Sequence, residues 1–190
     1  MNLRVYNICS TGCRTLGPGN RFVVWTQGCN RQCKGCITPE SRPLDGGRDI
    51  DIETIASAII KNNQISGITI SGGEPFLQSK QLKLLLEKIN KARPELSVII
   101  YTGYLIEELN WQDALDVLSK TDLLIDGPYI ETLNDGIGLR GSSNQRLHFL
   151  TDRLISWKDD METGKRKIEI YIYADKIINY GIPIKKQETL

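Results

Sequence analysis

A chain of 190 residues is the size of one domain, with or without an appendage, and is long enough to bury a real core. Its 40% hydrophobic and 25% charged content excludes wholesale disorder, and a formal net charge of +1 excludes the basic field of a nucleic-acid binder. No apolar run approaches the length of a bilayer and Met1–Ser10 lacks the apolar core of a signal peptide, so no membrane partner is expected and cytoplasmic residence is.

Taken in chain order, Leu3–Ile8 reads as an edge strand, and the stretch from Thr11 to Gly19 is rich in turns. Arg21–Thr26 is apolar, β-branched and aromatic, hence a strand, and it runs directly into a cysteine-bearing loop from Gly28 to Pro39. Arg42–Arg48 is a second loop. Ile52, Ile55, Ala56, Ile59 and Ile60 then recur at helical spacing behind a capping Asp51. Gly67–Ile70 is a buried strand ending at Ser71-Gly-Gly-Glu-Pro75, and Leu82, Leu85, Leu86 and Ile89 mark a helix that stops before Pro94. Leu96–Tyr101 is a strand, Leu105–Ser119 is helical in one or two pieces, and Asp122–Ile125 is a strand again. Strands alternating with helices over short loops give right-handed βαβ units and a parallel sheet. The repeats are too few for a closed eight-stranded barrel, so the expected fold is α/β, a partial, open (β/α) barrel of mostly parallel strands.

After Pro128 the character changes. Glu131–Arg146 is polar, and then Leu154–Trp157 and Lys167–Tyr173 alternate around a turn region at Asp159–Lys165. With Ile168, Ile170 and Ile172 on one face, this segment predicts a C-terminal β-hairpin. The chain thus divides into a core, residues 1–150, and an extension with a frayed tail at Lys185–Leu190, residues 151–190. The extension is expected to cap an open sheet edge.

All five cysteines fall between Cys9 and Cys36. An odd, clustered set argues against a disulfide framework and for metal or redox chemistry in a reducing compartment. Cys29, Cys33 and Cys36 stand at C-x3-C-x2-C spacing, so three soft thiolates from one tight loop can each reach a different iron of one cubane. Such clusters usually take four thiolates, and here one iron is left open to a bidentate ligand such as an amino acid's amino and carboxylate groups. A structural zinc site using the three cysteines and the lone His148 is the alternative, although zinc sites usually pair their ligands in two knuckles and no second knuckle exists. Cys9 and Cys13 are half a ligand set and read as a buried and a loop cysteine.

The cysteine spacing resembles that of the radical SAM superfamily, and Ser71-Gly-Gly-Glu-Pro75 resembles its GGEP motif after the second strand. Two glycines after a parallel strand let backbone approach a ligand closely, at the end of the sheet where open α/β folds bind. Further matches narrow the family: Gly17-Pro-Gly19, Thr26-Gln-Gly-Cys29, Cys33-Lys-Gly-Cys36, Pro39-Glu-Ser41, Tyr101-Thr-Gly-Tyr104, Leu124-Ile-Asp-Gly127 and above all Leu139-Arg-Gly-Ser-Ser-Asn-Gln-Arg146 resemble activating enzymes of anaerobic (class III) ribonucleotide reductase. The resemblance runs from about residue 4 to about residue 150.

What the resemblance implies is specific. Cys29, Cys33 and Cys36 hold a [4Fe-4S] cluster, and S-adenosylmethionine binds at its open iron. Reductive cleavage yields a 5′-deoxyadenosyl radical, which takes a hydrogen from a glycine of a partner reductase. Gly72 and Gly73 receive the cofactor's amino group with Glu74 as a supporting acid, Thr102 lies in the contact region of a neighbouring strand, and Gly35 and Ile37 touch the nucleoside. The family also implies a reduced flavodoxin or ferredoxin-like electron donor. The sequence departs from the family at Ile37-Thr38, where His-Asn or Tyr-Asn is common, and in its extra C-terminal length. A stand-alone small radical SAM enzyme acting on another peptide or a small molecule is the alternative reading.

Overall fold

A computed structural model describes residues 1–172, 174 and 177–183. In chain order the strands and helices are β1 (Asn2–Cys13), β2 (Arg21–Thr26), β3 (Arg48–Asp51), α1 (Ile52–Lys61), β4 (Gly67–Gly72), α2 (Ser79–Ala92) and β5 (Ser97–Tyr101), followed by α3 (Gln112–Leu118), β6 (Leu123–Asp126), β7 (Arg146–Phe149), α4 (Lys158–Thr163), β8 (Glu169–Ile172) and β9 (Ile177–Tyr180). Seven strands form one sheet in the order β3-β1-β2-β4-β5-β6-β7, and β8 and β9 pair as a separate two-stranded sheet.

The heart of the large sheet is parallel because its four central strands are buried on both faces, which is what near-continuous runs of Ile, Val and Leu produce. Register lines up Val24, Ile70, Ile100 and Leu124 across β2, β4, β5 and β6, with Val23, Thr69, Ile99 and Leu123 one residue earlier and on the opposite face. The first row meets the helices. Ile52, Ile55, Ala56 and Ile59 of α1 and Leu82, Leu85, Leu86 and Ile89 of α2 recur at helical spacing and join it in one core. The second row faces the C-terminal third of the chain. Val23 lies with Cys9, Cys13, Leu16, Tyr180 and Ile182, and Ile99 and Leu123 lie with Leu139, Leu154 and Met161.

Antiparallel strands complete the sheet at both sides, with β1 between β2 and β3 and β7 beside β6. The sheet is open, and its strand order does not close a barrel. What holds of the expected fold is a mixed α/β architecture with parallel central strands and a small hairpin. Several details differ from the sequence reading. Leu3–Ile8 is not at the edge, because the charged strand Arg48-Asp-Ile-Asp51 pairs outside it. Leu105–Ser119 is helical in two pieces, a 3-10 turn at Ile106–Glu108 and α3. Leu154–Trp157 lies in a 3-10 helix and Asp159–Thr163 in α4, and the hairpin instead pairs Glu169–Ile172 with Ile177–Tyr180. Its two strands pair with each other and lie over the inner face of the large sheet instead of capping an edge. Tyr173 and the tail from Lys185 to Leu190 fall outside the described residues.

Candidate functional site

The four parallel strands deliver their carboxyl ends to one cleft: the cysteine loop after β2, Gly72-Gly73-Glu74 at the end of β4, Thr102 after β5 and Gly127 after β6. This is where a ligand meets an open α/β sheet. The cysteine loop is closed at its base by backbone hydrogen bonds. Gly28 N donates to Ser41 O at 2.8 Å and Cys29 N to Arg42 O at 3.0 Å. Buried Gln27 adds a third tie, its amide nitrogen donating to the carbonyls of Glu40 (3.2 Å) and Pro43 (2.7 Å). Sequence reading placed Gln27 in the Thr26-Gln-Gly-Cys29 motif and gave it no role of its own. Its role exists only once the two ends of the loop meet.

Cys29, Cys33 and Cys36 are all half-buried free thiols on the cleft wall. Burial pushes the Cys29 thiol up from its ordinary range. Among the described residues no three Cys, His, Asp or Glu side chains gather on one point as a mononuclear ion requires. His148, on β7, has Nε2 3.0 Å from Asp126 Oδ2 and is not part of the cleft wall, so it does not join the thiols as a fourth zinc ligand. Three thiols on one cleft wall, without His148 beside them, are the donor set of a cubane that each would meet at a separate iron. The cleft also fits a ligand that brings its own acceptors: Arg31 and Arg42 line it, and the Nε of each is buried without a partner. Arg31 is held by a 3.0 Å ion pair to Glu108 and lies over the Tyr104 ring, 4.2 Å from its centroid.

Gly72, Gly73, Glu74, Thr102 and Ile37 line the same cleft; Gly35 does not. Gly35 has φ +68°, and a Cβ there would meet the Glu131 carboxyl carbon at 2.4 Å, so its glycine is explained by a tight turn under a neighbouring side chain. Gly72, the last residue of β4, and Gly73 after it also answer to protein. Gly73 N donates to Thr26 O at 2.9 Å, and a Cβ on Gly73 would come within 2.3 Å of Gly28 O. The end of β4 is thereby seated directly against the start of the cysteine loop.

Glu74 is fully buried. Its carboxylate accepts from Thr102 Oγ1 (2.8 Å), Gly103 N (2.8 Å) and Phe76 N (3.1 Å), so it joins the exits of β4 and β5. Burial outweighs these bonds and pushes its pKa up to about 6. The Arg140–Gln145 segment is also a knit loop. Gln145 Oε1 accepts from Gly141 N (2.7 Å) while its amide nitrogen donates to Gly127 O (2.8 Å), Asn144 donates to Pro128 O (2.8 Å), and Ser142 Oγ accepts from Ile130 N (3.1 Å). These bonds fasten the loop after β6, whose Gly127 and Tyr129 line the cleft. Cys9 and Cys13 lie apart, both buried in the inner-face core, and burial pushes Cys13 up to about 11.

An open, mostly parallel sheet with a three-thiolate loop and a glycine-rich strand exit at its carboxyl edge defines a single-cluster iron–sulfur protein of the radical SAM class. The profile of the 4Fe-4S single cluster domain family matches residues 15–148. The chain is 30% identical over 148 residues to the anaerobic ribonucleoside-triphosphate reductase-activating protein of Enterobacteria phage T4, covering 76% of this chain and 92% of the relative. It is 33% identical over 144 residues to that of Vibrio cholerae, covering 71% and 91%. It is also 30% identical over 127 residues to a pyruvate formate-lyase-activating enzyme of Clostridium pasteurianum, covering 64% and 50%. The chain belongs to the family of anaerobic ribonucleoside-triphosphate reductase-activating proteins. Among its described residues, no helix is long and apolar enough to cross a membrane.

Proposed function

We propose that this chain binds a [4Fe-4S] cluster through Cys29, Cys33 and Cys36, cleaves S-adenosylmethionine reductively, and so installs a glycyl radical on an anaerobic ribonucleotide reductase. The observation that carries the reading is the convergence of the three thiols with Gly72, Gly73, Glu74 and Thr102 on one cleft, in a chain of this family. When bound and reduced, the cluster would supply the electron that breaks a carbon–sulfur bond of the sulfonium to give methionine and a 5′-deoxyadenosyl radical, which would take a hydrogen atom from a substrate glycine and leave as 5′-deoxyadenosine.

The chain's own residues bind and orient. Gly72 and Gly73 present backbone to the cofactor's amino group, Glu74 adds negative charge behind them, and Thr102 is held in place by Glu74. Arg31 and Arg42, each with a donor left over, offer partners for the carboxylate. Ile37 gives apolar contact beside the nucleoside, and Gly35 acts through the turn that places Cys33 and Cys36. Residues 1–150 carry this chemistry, and the described part of the extension, residues 151–190, packs on them. The electron comes from a reduced flavodoxin or ferredoxin-like protein, and the reducing cytoplasm keeps the thiols free to hold iron.

The test is anaerobic reconstitution with iron and sulfide, reduction, and addition of S-adenosylmethionine. The intact chain releases 5′-deoxyadenosine, and Cys33→Ala abolishes it. Mixed with the reductase, the intact chain gives the electron paramagnetic resonance doublet of a glycyl radical. A reconstituted, reduced protein that leaves S-adenosylmethionine whole sinks the reading, and cleavage without a doublet restricts it to another substrate.

A further inference from the structure

The family match ends at residue 148, yet a segment well beyond it enters the cleft. Gly181 and Ile182 line the cleft together with the cysteine loop, and Ile182 is buried. Tyr180, next to them, stacks on Trp25 with ring centroids 5.4 Å apart and planes 15° from parallel; Trp25 is itself part of the cleft wall. Tyr171 meets Tyr180 edge-on at 5.3 Å, and its hydroxyl donates to Gly12 O at 3.1 Å. On the neighbouring side Arg14 N donates to Glu169 Oε2 at 2.8 Å.

The start and end of the segment are tied to the same loop. Arg166, whose side chain is 2% exposed, donates to Asn134 Oδ1 (2.7 Å), Gly141 O (3.2 Å) and Pro183 O (3.0 Å). Gly141 is another part of the cleft wall. Between the hairpin and the cleft the chain turns at Gly181, with φ +126°, where a Cβ would reach Lys167 O at 2.7 Å. A stacked pair, a buried guanidinium and a glycine-dependent turn thus place Ile182 with little freedom to move.

We propose that the extension supplies a wall of the cofactor cleft, and that Ile182 is a binding residue which contacts the carbon-rich surface of S-adenosylmethionine. The inference rests on the functional reading above. Ile182 and the Trp25–Tyr180 stack give the cleft a dry, nonpolar side, while its charged contacts come from Arg31 and Arg42. Such a wall has two consequences: it contributes apolar contact to cofactor binding, and it keeps solvent away from a carbon radical that takes hydrogen from any nearby donor.

The experiment measures S-adenosylmethionine binding to the full-length, reconstituted but unreduced protein by equilibrium dialysis, with iron and sulfide content determined on each sample. Ile182→Asp is expected to weaken binding about ten-fold or more at unchanged iron content, and Ile182→Val by no more than about two-fold. Ile170→Ser, on the exposed outer face of the same hairpin, leaves affinity as it was. If Ile182→Asp does not fold, Ile182→Ala replaces it, with a loss of about three-fold. Equal affinity of the folded, iron-loaded Ile182 variants and the unmodified chain overturns the wall. Failure of the unmodified chain to bind S-adenosylmethionine overturns the functional reading instead, so the two outcomes are separable.

Discussion

The two faces of the central sheet carry the same alternation of apolar residues and are covered by different kinds of chain. Val24, Ile70, Ile100 and Leu124 meet regular amphipathic helices, each following a strand of the sheet. Val23, Ile99 and Leu123 meet pieces that arrive from far along the sequence: a hairpin, a 3-10 helix, a six-residue helix and the loop that Arg166 helps to hold. The helix face is local and repetitive, which is why its core is continuous. The inner face is assembled from long-range contacts and divides into two smaller clusters that flank the cleft. Stability is concentrated on the first face and chemistry on the second.

Three substitutions sharpen that contrast. Leu85→Ala removes a fully buried side chain from the helix face and is expected to cost about 3–4 kcal/mol of unfolding free energy, while the protein that remains folded binds S-adenosylmethionine unchanged. Denaturant titration and dialysis check the two halves of that statement, and a change in cofactor affinity would break the division between faces. Arg166→Met removes the inner-face clamp. It is expected to cost about 2–3 kcal/mol by the same titration and to weaken cofactor binding as well, since Gly141 loses its restraint.

The smallest effect is read from pH. The Glu74 carboxyl, buried against Thr102 and Gly103, is pushed up to about 6 from an ordinary 4.5. The folded state therefore holds this proton more tightly than the unfolded one, and stability is greatest below the unfolded value. It falls as pH rises through about 6, by about 2 kcal/mol in all. In Glu74→Gln that slope is expected to vanish between pH 4.5 and 7, as measured by unfolding of the metal-free protein. A slope that survives the substitution assigns it to other groups.

How far the sequence could be read follows the same division. The central strands and α1 and α2 were legible because burial on one or two faces leaves a local pattern, as in Leu82, Leu85, Leu86 and Ile89. The three cysteines could be grouped from their spacing alone, and the structure sets all three on the wall of one cleft. Arg48-Asp-Ile-Asp51 was not, because a charged edge strand has no apolar alternation to show. The hairpin was found and misplaced. The exposed row of Ile168, Ile170 and Ile172 is visible in sequence, but Leu154–Trp157 mimics a strand while its only buried side chain, Leu154, packs from a 3-10 turn. The role of Gln27, inside a motif that was noticed, and that of Arg166, in none, gave no signal, since each acts on carbonyl groups brought near by folding. Gly72 and Gly73 were read as places where backbone approaches a ligand, and the close approach the structure shows is to the backbone of Thr26 and Gly28.

Because the inner face is finished by residues that come last, the chain's order of synthesis has a consequence of its own. The parallel strands are complete once Asp126 has emerged, but Ile182 follows about 55 residues later. At about 5–20 residues per second, roughly 3–11 s pass in which Val23, Ile99 and Leu123 lie bare beside three free thiols. The nascent protein thus exposes its cysteine loop before Ile182 can complete the wall of the cleft around it.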